Sequence, residues 1–197
     1  MRYLFFVVLI LGALTTAGQT TAEQYLDKAT ERYITDKNIE ATIILIDQAI
    51  KLKPDYAEAH DYRGIILRTK GDLAGAEADF SKAIQLSPKM AMYYEHRAAI
   101  REKRNNIAGA TADYNSAVEV EPKRTEALFE RSNFRIRIKD YVGALADCNK
   151  SLSIDPEYWG VLKARAAAYR ALGKITLAEA DEKTYAEEMK KMLQGIQ

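Results

Sequence analysis

The sequence predicts an all-α protein built from repeated pairs of helices, and two observations carry this prediction. The first is that all four prolines of the 197-residue chain stand 34 positions apart, at Pro54, Pro88, Pro122 and Pro156. Because proline cannot continue a helix and restrains the residue before it, each proline marks the end of a helical segment. The second is a composition with only 10 glycines and 48% hydrophobic residues, rich in Ala, Leu, Glu and Lys, which favours helices over a sheet.

Each 34-residue period holds two helices joined by a short turn. In the period that begins at Ala57, AEAHDYRGIILRT predicts the first helix, KGD the turn and LAGAEADFSKAIQLS the second helix. Gly71 suits the left-handed position after a helix end, and Asp72 suits the N-cap of the next helix. The period defines five units, of which the first is degenerate and the last ends in a capping helix with a charged outer face. These units are 23–56, 57–90, 91–124, 125–158 and 159–194.

Small, aromatic and proline residues occupy matching places in successive units. Places 8, 20, 24, 27 and 32 of the second unit hold Gly64, Ala76, Phe80, Ala83 and Pro88. The same places of the third unit hold Ala98, Ala110, Tyr114, Ala117 and Pro122. This pattern resembles the tetratricopeptide repeat. The resemblance implies a right-handed α-solenoid of about five stacked helix-turn-helix units, which bury one another's apolar faces and line a concave groove with their first helices.

The first 18 residues have the pattern of a secretory signal peptide. Arg2 precedes an unbroken apolar run of about 12 residues, and small residues follow this run. The run is shorter than the roughly 20 residues that span a bilayer. We expect cleavage after Ala17 or Gly18, and an uncleaved membrane anchor is the alternative. The expected location is therefore periplasmic or secreted, as for a protein of a bacterial envelope.

Charged residues repeat on the same 34-residue period. In four units an Asp follows an Arg sixteen residues later, as Arg63 and Asp79, Arg97 and Asp113, Arg131 and Asp147, and Arg165 and Asp181. The degenerate first unit has neither residue, since Ala29 and Leu45 stand at those places. Because a guanidinium can bond a carboxylate twice, we expect structural ion pairs, either within a unit or across a unit boundary. The alternative is that both residues only face solvent.

No residue pattern predicts catalysis, a metal or a cofactor. The single cysteine, Cys148, lies among apolar residues of a predicted helix, which is typical of a buried thiol and excludes an internal disulfide. The two histidines, His60 and His96, lack the spacing of metal ligands, and we expect the first to pack and the second to lie at the groove edge. Basic and acidic residues are interleaved and nearly equal in number, 29 and 28, so nucleic-acid binding is not expected.

A protein- or peptide-binding groove on the first helices is the remaining candidate site. The resemblance places the second, fifth, ninth and twelfth to thirteenth residues of each unit on this surface. The candidate partner-binding residues are Asp27, Glu31, Asp61, Glu95, Asn133, Arg137, Lys163 and Arg170. Early units supply acidic residues and later units basic ones. This order predicts a dipolar groove for a peptide with complementary charges.

Two other binding modes are alternatives to a peptide in the groove. Members of the family grip a chaperone's C-terminal carboxylate with Lys and Asn at the fifth and ninth places, but Asp61 and Glu95 occupy the fifth place here, which disfavours that mode. The alternative function is a structural assembly subunit that binds through its end faces and self-associates. Its candidate anchors, which ordinary packing would also explain, are Tyr56, Tyr93, Tyr158 and Trp159.

Overall fold

The computed structural model describes residues 20–194, and these residues form ten α-helices and no strand. The prediction of an all-α fold is confirmed. The helices are α1 (Ala22–Asp36), α2 (Ile39–Leu52), α3 (Ala57–Lys70), α4 (Leu73–Leu86), α5 (Ala91–Lys103), α6 (Ile107–Val120), α7 (Thr125–Arg137), α8 (Tyr141–Ile154), α9 (Gly160–Ala171) and α10 (Ile175–Gln194). None of these helices is long and apolar enough to cross a bilayer. The predicted signal peptide, residues 1–18, lies outside the described residues.

Short polar side chains start the helices where the sequence changes from turn to helix. Thr21 accepts the N–H of Gln24 at 3.2 Å, and the Gln24 side chain accepts the N–H of Thr21 at 3.0 Å, so α1 begins with a capping box. Four second helices begin after a residue that accepts the N–H three positions on: Asn38, Asp72, Asn106 and Asp140. Gly71 ends α3 with a φ of 92°, a left-handed conformation that glycine adopts readily.

The chain divides into two compact units that each contain several of the 34-residue repeats, and we call them the first unit and the second unit. The first unit ends at Leu86. It contains two helical hairpins, α1 with α2 and α3 with α4, and α2 packs against α3. The fully buried residues that form its core include Ala29, Ile46, Ala59 and Ile66. Because neither hairpin covers its apolar side alone, the stability of this unit depends on contact between them.

The second unit begins at Ser87 and contains three hairpins: α5 with α6, α7 with α8, and α9 with α10. Both helices of the first hairpin contact α7, and both helices of the second contact α9, so consecutive hairpins stack. Tyr114 of α6 and Phe134 of α7 pack with ring centroids 4.8 Å apart. Cys148 of α8 and Val161 of α9 are fully buried in the next interface. The predicted stacking of helix pairs is thus present within this unit.

Small residues bring the two helices of a hairpin close together. The alanines at the twentieth place, which are all fully buried, are Ala76, Ala110, Ala144 and Ala178. The tightest approach is at Gly64, where a Cβ atom would lie 2.7 Å from Cε1 of Phe80. Since the Phe80 ring is itself fully buried, it has little room to move away.

The predicted terminal helix is present as α10, but most of it is exposed. Ala178 and Asp181 are buried against the rest of the last hairpin. Leu177 and Met192 of this helix are 48% and 45% exposed. The end of the second unit therefore presents apolar side chains as well as charged ones.

Candidate protein-binding face

The first helices of the second unit lie side by side, since α7 contacts both α5 and α9. The side chains Glu95, Asn133, Arg137, Lys163 and Arg170 lie on these three helices, and we call the surface that carries them the first-helix face. Arg137 of α7 donates from Nη2 to Oε2 of Glu102 on α5 at 2.8 Å, and its Nε bonds the other carboxylate oxygen. This bidentate pair joins two consecutive hairpins at the surface, so the face is continuous from one first helix to the next.

A ladder of Arg–Asp pairs lies inside the hairpins. In all four pairs Nε bonds one carboxylate oxygen and Nη2 bonds the other at 2.7 Å. The pairs are Arg63–Asp79, Arg97–Asp113, Arg131–Asp147 and Arg165–Asp181. Each Asp is at most 7% exposed, and the Arg side chains are 15–27% exposed. The pairs therefore connect the first helix to the second helix of the same hairpin, and they do not simply face solvent.

The third nitrogen of the same guanidinium reaches the preceding hairpin. Nη1 of Arg63 donates to Asp47 at 2.7 Å, Nη1 of Arg131 to Asn115 at 3.1 Å and Nη1 of Arg165 to Asn149 at 2.9 Å. These acceptors also stand sixteen residues before their Arg, so the 34-residue period would have revealed them. The ladder thus links neighbouring hairpins within each unit as well as the two helices of one hairpin.

Further side chains contact three of the carboxylates. Arg101 donates to Asp113 at 2.9 Å and Arg135 donates to Asp147 at 2.7 Å, each from one turn further along the same first helix. His60, predicted as a packing residue, is 7% exposed, with Nδ1 3.3 Å from Asp79 and Nε2 3.1 Å from the Pro54 carbonyl. Asp79 first, and Asp47 after it, raise the pKa of Arg63.

The acidic residues predicted to line the groove differ in exposure. Asp27 and Glu31 lie exposed on α1 of the first unit. Asp61 of α3 and Glu95 of α5, which were expected to meet a partner in solvent, are only 5% and 9% exposed. Burial raises the pKa of the Glu95 carboxyl, and Arg124 opposes this rise. The fifth place of these two repeats is therefore a buried position, and the sequence pattern did not predict this burial.

The basic residues of the face are engaged within the second unit. Arg170 bonds both oxygens of Glu182 on α10, at 2.9 and 2.6 Å. The Lys163 ammonium lies 5.1 Å from the ring centroid of Tyr185, also on α10. Arg137 is held by Glu102, while Asn133 is half-buried near the middle of α7. The predicted basic half of the groove therefore has much less free charge than its composition suggests.

Two other predicted features have clear positions. Cys148 is fully buried, and burial raises the pKa of its thiol to about 11. Of the two interpretations of Tyr93, interface anchor or ordinary packing, the structure supports packing, because Tyr93 is 1% exposed and belongs to the core. Tyr56, Tyr158 and Trp159 are half-buried.

Among residues 20–194, no group of three or more His, Cys, Asp or Glu side chains is arranged to hold a metal ion.

The comparisons with known proteins agree with this architecture. Residues 57–90 match the tetratricopeptide repeat family. No curated protein matches the chain in sequence. MamA from Desulfovibrio magneticus RS-1 superposes with a TM-score of 0.71 at 16% identity, over 86% of this chain and 96% of that one. A tetratricopeptide repeat protein from Parabacteroides merdae ATCC 43184 superposes with a TM-score of 0.60 at 20% identity, over 85% and 79%.

A third structure extends the likeness to a complex. One chain of the APC/C hetero-tetramer Cut9–Hcn1 superposes with a TM-score of 0.72 at 15% identity, over 93% of this chain and 36% of that one. Likeness at these identities shows the fold alone. The chain thus has the all-α fold of tetratricopeptide solenoid proteins, and its residues 57–90 carry a repeat of that family.

Proposed function

We propose that this protein is a non-catalytic scaffold that binds a protein or peptide on the first-helix face of its second unit. The observation that carries the proposal is the continuity of this face, because Arg137 of α7 is bonded to Glu102 of α5. The Arg–Asp ladder fixes the backbone beneath it. Stacked helical repeats use such extended surfaces for binding. A chain of the Cut9–Hcn1 hetero-tetramer has a similar fold, and this supports a role in protein association.

The chemistry of the face supports a partner different from the dipolar peptide that the sequence suggested. Arg137 and Arg170 are already paired with carboxylates of this chain. Arg124 lies 3.6 Å from both the buried Glu95 and the exposed Glu126, and Glu130 of α7 raises the pKa of Glu95. The middle of the face is therefore the part with uncompensated charge, and that charge is negative. A partner with basic residues fits it better than one with an alternating pattern.

The test places a photo-crosslinking amino acid at Asn133 on the face and, as a matched control, at Val142 on α8. Val142 is 70% exposed and lies on a second helix. In cells of the source organism, we expect a defined protein adduct from position 133 and none from position 142. Equal adducts from both positions, or none from position 133 and one from position 142, would refute binding at this face.

The proposed location is outside the cytoplasm, and the N-terminal residues 1–18 supply the reason. Their basic start, apolar run and small residues have the pattern of a cleaved signal peptide. Mass spectrometry of the protein from fractionated cells would give the mature N-terminus. We expect it to begin at Gly18 or Gln19 in the periplasmic or secreted fraction. An intact Met1 in the cytoplasmic fraction would exclude export, and an intact Met1 in the membrane fraction would indicate the anchor.

A second candidate function is assembly through the C-terminal end, and the exposed side chains of α10 favour it. Leu177, Met192 and Leu193 are 48%, 45% and 60% exposed. Burial of three such side chains in an interface would contribute several kcal/mol to association, at roughly 25 cal/mol per Å². Sedimentation velocity at increasing protein concentration tests this. A constant monomer mass for both the natural chain and Leu193→Glu would remove self-assembly as a function.

A further inference from the structure

The three hairpin turns of the second unit have the same conformation. Asn105, Lys139 and Gly173 each adopt a left-handed backbone conformation, with φ of 59°, 65° and 73°. In every turn the residue that follows donates its N–H to the carbonyl five residues earlier, at 2.8–2.9 Å, which is the bond that closes a Schellman motif. Because consecutive hairpins stack, these turns lie along one edge of the unit. We call this edge, residues 103–107, 138–142 and 171–175, the turn edge.

Each of the three turns exposes apolar side chains. The exposed ones are Ile107, Ile138, Val142, Leu172 and Ile175, with exposed fractions from 37% to 70%. Single exposed apolar side chains are common on protein surfaces, whereas a row of them along one edge is typical of a surface that binds another molecule. The turn edge is therefore a candidate interaction surface.

The turn edge is also positively charged. Its exposed basic residues are Lys103, Arg104, Lys139 and Lys174. The three lysine side chains form no hydrogen bond or ion pair with any of residues 20–194. The only acidic residue of the turn edge is Asp140, whose carboxylate accepts the N–H of Gly143 at 2.9 Å and lies 3.5 Å from Nε of Arg135. The lysine ammonium groups can therefore meet an external anion.

The opposite edge of the second unit has a different charge. It is formed by the segments that connect consecutive hairpins, residues 121–124 and 155–159. These segments contain three acidic residues, Glu121, Asp155 and Glu157, and two basic residues, Lys123 and Arg124. Arg124 already lies 3.6 Å from Glu95 and from Glu126. An anionic surface would therefore attract the turn edge and not the opposite edge.

We propose that the turn edge docks the second unit on the surface of an anionic phospholipid bilayer. The lysine ammonium groups pair with headgroup phosphates, and the apolar side chains of the turns enter the interface beside them. The strength of such binding grows with the buried apolar area and with the attraction between cations and anionic lipid, and the turn edge supplies both. A bilayer interface accommodates separate apolar side chains without pockets of matching shape, which suits a row of turns. The inference goes beyond the proposed function, because the turn edge is separate from the residues of the first-helix face.

The test measures co-sedimentation of the full-length chain with vesicles of phosphatidylcholine alone and with vesicles of equal parts phosphatidylcholine and phosphatidylglycerol. We expect stronger binding to the anionic vesicles, and this binding should fall as the salt concentration rises. Lys139→Gln/Lys174→Gln should weaken it about fivefold for each lysine removed. Val142→Ser should weaken it about threefold, because Val142 is the most exposed apolar side chain of the turn edge. Every variant keeps the same N-terminal residues, so the difference between variants reports the turn edge alone.

The matched control is Lys123→Gln/Lys150→Gln, which removes two exposed lysines of the same unit outside the turn edge. We expect it to bind the anionic vesicles as the natural chain does. Equal binding to both kinds of vesicle, no binding, an unchanged affinity of Lys139→Gln/Lys174→Gln, or an equal loss in the control would each overturn the inference. A protein adduct at position 142 in the crosslinking experiment would assign the turn edge to a protein partner, and would overturn it as well. The adduct at Asn133 tests the first-helix face separately, so either proposal can fail without the other.

Discussion

Arg131 holds Asp147 with two parallel hydrogen bonds, from Nε at 3.0 Å and from Nη2 at 2.7 Å. The same carboxylate accepts a third bond from Arg135 at 2.7 Å, and Nη1 of Arg131 reaches Asn115 of the preceding hairpin. One side chain therefore ties together α6, α7 and α8. The Asp147 side chain is only 4% exposed, so removing one of these partners leaves buried polar groups without compensation.

The first prediction is that Asp147→Ala lowers the free energy of unfolding by about 3 kcal/mol, because it leaves two arginines without their buried partner. Denaturant unfolding followed by the fluorescence of Trp159, the only tryptophan, would measure this in the second unit. The double variant Asp147→Ala/Arg131→Ala should lose less than the sum of the single losses. Additive losses would show that the pair is not coupled. Glu119→Ala, an exposed change on α6, should leave stability within about 0.5 kcal/mol.

The second prediction concerns the tight approach of α3 and α4. Gly64→Ala should destabilise the first unit by about 1–3 kcal/mol, because its Cβ atom would lie 2.7 Å from the buried Phe80 ring. In an ordinary helix the same change stabilises, since alanine favours helix. Far-UV circular dichroism during thermal unfolding gives the sign. Phe80→Leu combined with Gly64→Ala should recover part of the loss, and no recovery would mean that the ring is not the cause.

The periodic features of the fold could be predicted from the sequence, because each depends on residue type at a repeated place. The helix pairs follow from the prolines and capping residues, and the partners of Arg131 and Asp147 follow from a spacing of sixteen residues. Enclosure is different, because it depends on which neighbouring side chains cover a position. The period assigns Glu95 to the groove, but it does not show that the oxygen Oε1 lies buried without a partner.

The sequence pattern also did not predict the contacts that the basic residues make within the chain. Arg170 and Glu182 stand at places 12 and 24 of the last repeat, and no other repeat has an Arg and an acidic residue at those two places. The stacking of Lys163 on Tyr185 likewise depends on the path of the long final helix α10. Contacts that occur once, and are not repeated along the chain, leave no periodic signal. For this reason the predicted dipolar groove overstated the free positive charge.

The third prediction is that Cys148 is unreactive while the protein is folded. The thiol is fully buried, and burial raises its pKa to about 11, so almost none of it is thiolate at neutral pH. Iodoacetamide at about pH 8 should leave the folded chain unlabelled and should label it fully in guanidinium chloride. Mass spectrometry of the intact chain distinguishes the two. Rapid labelling of the folded chain would contradict the buried position of Cys148 in α8.

The fourth prediction concerns the pH dependence that Glu95 imposes on the second unit. Burial raises the pKa of its carboxyl above the ordinary value of 4.5, and Glu130 and Glu121 add to the rise while Arg124 and His96 oppose it. Between 4.5 and the raised value, the folded state binds more protons than the unfolded state does. Stability contributed by this residue therefore falls as pH rises through that window.

Glu95→Gln removes the charge and keeps the size of the side chain. At about pH 7 it should raise the free energy of unfolding by about 1 kcal/mol, because no buried carboxylate remains. Below the unfolded pKa the natural carboxyl is protonated in both states, so the advantage should disappear. Unfolding curves at several pH values, followed by Trp159 fluorescence, give the difference in the free energy of unfolding between the variant and the natural chain. The control is Glu119→Gln, an exposed change for which this difference should not vary with pH. A Glu95→Gln variant that is less stable than the natural chain at neutral pH would mean that the charged Glu95 is stabilised in the folded state, which would contradict the prediction.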